Sequence, residues 1–280
     1  MNDNPIKSGL AAINNAYIYY ETAGEGPPFV MIHAGVADSR QWNNEFAHFA
    51  DRFQVVRYDL RGYGRSKPVA GEFSHLADLI ALLDYLELHE PALLMGCSMG
   101  GGLAIDFALT RPLQTAALIL AGSEPSGLEL DDAPTPAKFA EAKQADLAGD
   151  LDLLAEIEMQ IWFDGVGRTP DQVNQTMRRL AYEMNRQALA HYAKKLGQQL
   201  PDTEIVAADE MGALRMPTLI VVGARDIPYV HEAADYMLAK LPSAGKALIA
   251  NAAHLSNMDQ PEEFRRVVTE FLAGSALYGR

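Results

Sequence analysis

A chain of 280 residues with 49% apolar and 21% charged residues is long enough to bury a full core and carries no compositional mark of disorder. Its net charge of −14 argues against nucleic acid and anionic membrane as partners, because both repel an acidic surface. The longest uncharged apolar runs, 116–121 and 218–222, are strand-length and far below the ~20 residues that span a bilayer.

Residues 1–8 are polar and lack the basic start and apolar block of a signal peptide. Residues 10–21 alternate about Asn14-Asn15, and asparagine tolerates positive φ, so this stretch predicts a hairpin. A short apolar strand over 29–32 follows Gly26-Pro27-Pro28 and runs into His33-Ala34-Gly35-Val36. Trp42, Phe46 and Phe49, spaced four and three apart, predict an amphipathic helix over 40–49. A strand over 54–58 ends in the polar loop 59–66. Leu76, Leu79, Ile80, Leu83 and Leu86 then recur at helical spacing after Ser74, until Pro91 limits the helix.

A strand over 92–95 leads to Gly96-Cys97-Ser98-Met99-Gly100, and a helix is expected over 101–109. Further strands are expected at 117–121, 218–222 and 246–249, and a closing helix at 261–272, with Pro261 at its first position and Gly274 at its exit. Strands alternating with helices define the fold class: α/β, a mostly parallel twisted sheet with helices on both faces and right-handed crossovers. One stretch breaks the alternation. Residues 124–205 hold no convincing strand but show helical patterns over 137–147, 151–162 and 171–200. The expected organisation is therefore a core of 1–123 and 206–280 with an inserted helical lid, 124–205. That insertion is entered through Pro125, Pro134 and Pro136, and its 8 basic against 15 acidic residues give it a net −7.

The motif G-x-S-x-G between a strand and a helix is the setting of a sharp turn that holds a serine hydroxyl clear of the backbone. Serine is a weak nucleophile near neutral pH and needs an imidazole base, which needs a carboxylate to hold its tautomer. Of the seven histidines, His254 sits in a loop after the last strand, at the sheet edge where the serine turn lies. Asp226 follows the strand 218–222 within Gly223-Ala224-Arg225-Asp226. Glu124, after the strand 117–121, is the rival acid. The order Ser98, Asp226, His254 is the one such a turn calls for.

On these residues, with His33-Ala34-Gly35 and the loop 59–66, the chain resembles the α/β-hydrolase fold superfamily, of the lidded type that includes carboxylesterases, enol-lactonases, carbon–carbon bond hydrolases and cofactor-free haloperoxidases. The resemblance implies a catalytic set of Ser98, Asp226 and His254. It also implies an oxyanion hole from the backbone N–H of Met99 and of Val36, with Gly35 as the alternative to Val36, because Ala34 stands where relatives have His-Gly. Serine in place of aspartate at the turn argues against epoxide and carbon–halogen cleavage.

The remaining candidates are read more plainly. Cys97, one residue before the serine, is expected to be buried and inert. As the only cysteine it excludes an intrachain disulfide and suits a reducing compartment, so the cytoplasm is the expected location. His33 is expected to be structural, and His48, His75, His89, His191 and His231 to lie on the surface. Asp59 and Arg61 resemble the family's structural loop, and Gly62-Tyr63-Gly64 opens no helix, so it is no dinucleotide fingerprint. Trp162 and Phe163 are candidates for the substrate pocket. The expectation is a serine hydrolase that needs no cofactor or metal and cleaves small, mostly neutral carboxylic esters or lactones through an acyl-enzyme. A carbon–carbon bond hydrolase of a vinylogous diketone using the same residues, and a non-catalytic ligand-binding receptor, are the alternatives.

Overall fold

The computed structural model describes residues 5–130 and 137–275, and the statements below concern those residues. The chain opens with strands β1 (Lys7–Ile13), β2 (Ala16–Ala23) and β3 (Pro28–Ile32), helix α1 (Asn43–Phe49) and strand β4 (Gln54–Tyr58). A short strand β5 (Glu72–Phe73) and helix α2 (His75–Tyr85) precede β6 (Ala92–Cys97), α3 (Met99–Thr110) and β7 (Thr115–Ala121). The helical segment follows, with α4 (Lys138–Ala148), α5 (Leu151–Met159), α6 (Gln175–Tyr192) and a short strand β8 (Gln198–Gln199). Then come α7 (Ala207–Glu210), β9 (Thr218–Gly223), α8 (Pro228–Lys240), β10 (Ala244–Ile249), α9 (Ser256–Asp259) and α10 (Pro261–Gly274).

The main sheet has eight strands in the order β1-β2-β4-β3-β6-β7-β9-β10. Its first two pairings are antiparallel, β1 with β2 across the Asn14-Asn15 turn, whose φ values are 44° and 60°, and β2 with β4. From β4 to β10 the strands are parallel. One apolar cluster packs beneath α2, α3 and α8 and the other beneath α1 and α10, so both faces are covered. Trp42, Phe46 and Phe49 are all buried, as their spacing predicts, although the segment begins as a 3-10 turn, Ser39–Trp42, before it becomes α-helical.

The chain runs from β3 outward to β4, then returns to build β6 and its successors on the other side of β3. That reversal opens a crevice at the carboxyl ends of β3 and β6, the place where open α/β sheets bind ligands. Register keeps the strand ends level there, with Ile32 beside Gly96, Cys97 beside Ala121 and Gly223 beside Ile249.

The helical segment departs from expectation in one respect. A single helix over 171–200 is not formed: a 3-10 turn, Pro170–Gln172, precedes α6, and α6 stops at Tyr192. Lys195 takes a positive φ of 51°, and the chain then pairs Gln198–Gln199 with Glu72–Phe73. This two-stranded pairing is held by main-chain bonds between distant segments, which no local periodicity can report. Pro134 and Pro136 lie outside the described residues. Among the described residues no helix is long and apolar enough to cross a membrane.

Candidate active site

Ser98 joins β6 to α3 with φ 52° and ψ −119°, a backbone conformation that costs a non-glycine residue on the order of 1–3 kcal/mol. Its neighbours make the turn possible. A Cβ on Gly100 would lie 2.4 Å from the carbonyl oxygen of Ile32, so only glycine lets α3 start against the end of β3. The Ser98 N–H donates to Ala121 O at 2.9 Å, and its carbonyl accepts from Gly101 and Gly102. The residue is half-buried, between a closed core and the crevice.

Two neighbouring loops bring an acid and an imidazole together. His254 Nδ1 donates to Asp226 Oδ2 at 2.9 Å, and both residues are almost fully buried. The other Asp226 oxygen accepts the N–H of Ile227 at 2.9 Å, which fixes the carboxylate plane. The loops are tied to each other by Arg225 N–H to Ala252 O at 2.8 Å and Ala224 N–H to Ile249 O at 2.9 Å. Gly122 is required beneath them: at φ +56°, its Cβ would fall 3.0 Å from His254 Nδ1. It is Asp226 that His254 reaches. Glu124 is exposed and is drawn instead to Tyr229, whose hydroxyl is pushed well up, first by burial and then by its bond to Glu124.

Val36 and Met99 flank the crevice from β3 and α3, and neither N–H is engaged by another described residue. The loop that carries Val36 is braced from behind. Ala34 N–H donates to Gln41 Oε1 at 2.9 Å, Gln41 Nε2 donates to Asn257 Oδ1 at 3.2 Å, and Asn257 Nδ2 donates to Glu45 Oε2 at 3.1 Å. His33 is structural: Nδ1 donates to Ala34 O at 2.8 Å and Nε2 accepts from Leu60 N–H at 3.0 Å. Gln41, Glu45 and Asn257 carry no motif, so sequence reasoning passes over them; their only signal is that Asn257 follows His254 by one short loop.

Glu45 makes stability depend on pH. It is wholly buried, its Oε1 has no partner, and burial raises its carboxyl from 4.5 to about 7. Between those values the folded chain keeps a proton that the unfolded chain has released, so stability falls as pH rises through that window. Glu45→Gln is therefore expected to gain on the wild type, on the order of 1 kcal/mol for each pH unit crossed. Denaturant unfolding at both ends of the window measures this, and equal midpoint differences at the two pH values would refute it.

Cys97 is buried, its Sγ lies 3.8 Å from His254 O, and burial pushes its thiol up to about 12. The thiolate is absent near neutral pH, so iodoacetamide is expected to label the protein only after denaturation. Labelling of the native protein, read by mass spectrometry, would contradict this placement.

Trp162 and Phe163 part company. The chain between them is a π-helical turn, Gln160–Asp164, that continues α5. The Trp162 ring packs on His254 with centroids 4.5 Å apart. Phe163 does not line the crevice: it is 1% exposed and packs into the apolar cluster with Met159 and Met184. Adjacent residues on a helical turn point about 100° apart, so one aromatic reaches the site and the other the core. Arg168 anchors this turn. It donates to Asp164 O, Phe163 O and Asn251 O and pairs with Asp259 at 2.7 Å, joining the segment to the loop of His254.

Two histidines expected on the surface are buried. His75 is 3% exposed beneath Tyr63 and Phe73, and burial lowers its imidazole to about 4. His191 is 5% exposed, with Nδ1 donating to Gly62 O at 2.9 Å. Both are covered by the loop 59–73 meeting α6, a long-range contact with no local pattern. Between that loop and α6 lies a cavity of about 450 Å³, lined by Gly35, Val36, Tyr63, Phe73, Glu158 and Asn185 among others. Asn185 Nδ2 donates to Glu158 Oε2 at 2.7 Å, and burial raises the Glu158 carboxyl. The Tyr63 hydroxyl is pushed up to about 12, first by burial and then by the charge of Glu158, and lies 3.8 Å from Met99 Sδ. Arg61 also borders the cavity, but its guanidinium is spent on a bidentate pair with Asp78 at 2.7 and 2.8 Å.

A doubly covered, mostly parallel sheet with a serine on a strained strand-to-helix turn and a paired acid and imidazole on later loops defines an α/β hydrolase. The chain belongs to the alpha/beta hydrolase family, whose model matches residues 29–267. It is 27% identical over 267 residues to the pimeloyl-[acyl-carrier protein] methyl ester esterase of Nitrosospira multiformis, covering 91% of this chain and 97% of that protein. It is 25% identical over 271 residues to the 2-hydroxy-6-oxononadienedioate/2-hydroxy-6-oxononatrienedioate hydrolase of Comamonas testosteroni, covering 93% of each. The solved enol-lactonase from Burkholderia xenovorans LB400 superposes with a TM-score of 0.76 at 20% identity, over 95% of this chain and 100% of that one, a likeness of fold alone.

Proposed function

We propose that this carboxylic ester hydrolase cleaves small, mostly neutral esters or lactones through an acyl-enzyme on Ser98. His254, held by Asp226, takes the Ser98 proton as Oγ attacks the carbonyl carbon. The N–H groups of Met99 and Val36 receive the oxyanion, and each such donor is worth ~3 kcal/mol of transition-state stabilisation. The carbon–oxygen bond breaks, and His254 returns the proton to the departing alcohol. Water, deprotonated by His254, then attacks the acyl carbon and frees Ser98 and the acid. No cofactor enters these steps. Residues 124–205 act as the lid, and the partner is a small molecule, in keeping with an acidic surface that disfavours nucleic acid and membrane. The single buried cysteine supports a cytoplasmic location.

The observation that carries this reading is the pairing of His254 with Asp226 at 2.9 Å beside a serine held at φ 52°. A carbon–carbon bond hydrolase reading is weaker, because a diketone acid is held best by a buried cation, and the one that lines the cavity, Arg61, is already paired with Asp78, which leaves the exposed Lys195. The test is labelling by a fluorophosphonate probe together with turnover of p-nitrophenyl butyrate. Labelling at Ser98 with ester turnover is expected; neither, in folded protein, would overturn the reading.

A further inference from the structure

The cavity between the loop 59–73 and α6 has a defined place in the proposed reaction. The departing alcohol must lie beside His254, which protonates it. The cavity borders Gly35 and Val36, and its Tyr63 wall lies 3.8 Å from Met99 Sδ, whereas Ser98, His254 and Trp162 are not among its lining residues. A cavity on the Val36 and Met99 side, and not at His254, suits the acyl chain and not the leaving group. Part of its wall is apolar, with Pro68, Val69, Phe73, Leu189 and Leu196.

Polar side chains line the cavity as well, among them His75, His191, Lys195 and Gln199, and one of them is a carboxylate, Glu158. Glu158 lies on α5 one helical turn before Trp162, so both side chains leave the same face, and that face is turned to the site. Asn185 from α6 holds Oε2 of Glu158, and no described residue bonds Oε1. Of the Lys and Arg side chains that line the cavity, Arg61 is taken up by Asp78 and Lys195 is exposed to solvent. A half-buried carboxylate with an unengaged oxygen and no cationic partner accepts a hydrogen bond and repels an anion.

We infer that this cavity is the acyl subsite and that Glu158, positioned by Asn185, selects acyl groups carrying a hydrogen-bond donor, a hydroxyl or an amide N–H, over acyl groups carrying a carboxylate. The inference rests on Ser98 as nucleophile. It sets this chain apart from the relative named for a dioate substrate, a molecule with two carboxylates.

The experiment compares kcat/KM for p-nitrophenyl esters of hexanoic acid, ω-hydroxyhexanoic acid and adipic acid (monoester), which share one chain length and one leaving group. Wild type is expected to prefer the hydroxy ester to the hexanoate, and the hexanoate to the adipate. In Glu158→Leu the hydroxy-to-hexanoate ratio falls by on the order of 10- to 100-fold, the usual worth of a hydrogen bond to a charged acceptor. In Glu158→Gln, which keeps the shape, the adipate-to-hexanoate ratio rises by roughly 10-fold as the repelling charge is removed. Ratios within one variant cancel any general loss of activity or folding. A wild type that hydrolyses the adipate ester as well as the hexanoate, or ratios unmoved by Glu158→Gln, overturns the inference while leaving Ser98 as nucleophile. Absence of turnover of all three esters together with no fluorophosphonate labelling overturns the proposed function and this inference with it.

Discussion

Ser98→Ala is expected to lower kcat by about 10⁶-fold, the scale seen when the nucleophile of a serine hydrolase is removed. The physical reason is that no other group can take its place. Cys97 is adjacent in sequence, but its side chain points into the core and its thiol is held at about 12, so it offers no thiolate. The substitution also removes nothing that packs, since Ser98 is half-buried and its structural bonds are made by its backbone N–H and carbonyl. The variant should therefore fold, and unfolding curves matched to the wild type separate lost chemistry from lost structure. Alanine at φ 52° bears the same backbone strain as serine, so little change in stability is expected. Stopped or steady-state ester assays read the loss; a folded Ser98→Ala enzyme within tenfold of wild type would end the acyl-enzyme mechanism.

The second large effect is expected at Asp226. Asp226→Asn keeps the size of the side chain but offers an amide N–H as readily as a carbonyl oxygen to His254 Nδ1. The imidazole is then free to hold its proton on Nε2, where it faces the nucleophile as a donor and not a base. A loss of kcat of about 10⁴-fold follows from the wrong tautomer alone. Position matters as much as charge. His254 and Asp226 are both buried over Gly122, and Asp226 also accepts from Ile227, so the bond at 2.9 Å is fixed from two sides. The loss should be concentrated in kcat with KM little altered, because neither residue lines the cavity between the loop 59–73 and α6. A variant with full kcat would show that the Asp226 bond does not govern the tautomer.

The parts of this molecule that repeat locally are legible without coordinates. Trp42, Phe46 and Phe49, the leucines of α2 and the alternation about Asn14-Asn15 each obey a helical or strand period, and each is buried or paired accordingly. The parts that depend on two distant segments are not. His75 and His191 read as surface histidines because their own helices are amphipathic, yet the loop 59–73 and α6 close over them. Phe163 reads like its neighbour Trp162, and only the direction of the π-helical turn sends one to the core and the other to His254. The strand pair Glu72–Phe73 and Gln198–Gln199 is two residues long on each side, too short to leave a period.

By itself, the sequence determined the order of strands and helices, the glycines that permit a serine at a positive φ, and the loops on which an acid and an imidazole follow it. These are consequences of side-chain periodicity and of steric limits on single residues, which act within a few positions of the chain. Which carboxylate His254 meets, how Gln41, Asn257 and Glu45 brace the loop that carries Val36, and that a carboxylate on α5 lines the cavity beside α6 emerge only in three dimensions. Each of those is a contact between segments tens to hundreds of residues apart. Their geometry is set by sheet register and by close packing of the helical segment on the sheet edge, and neither is written in any one stretch of the chain.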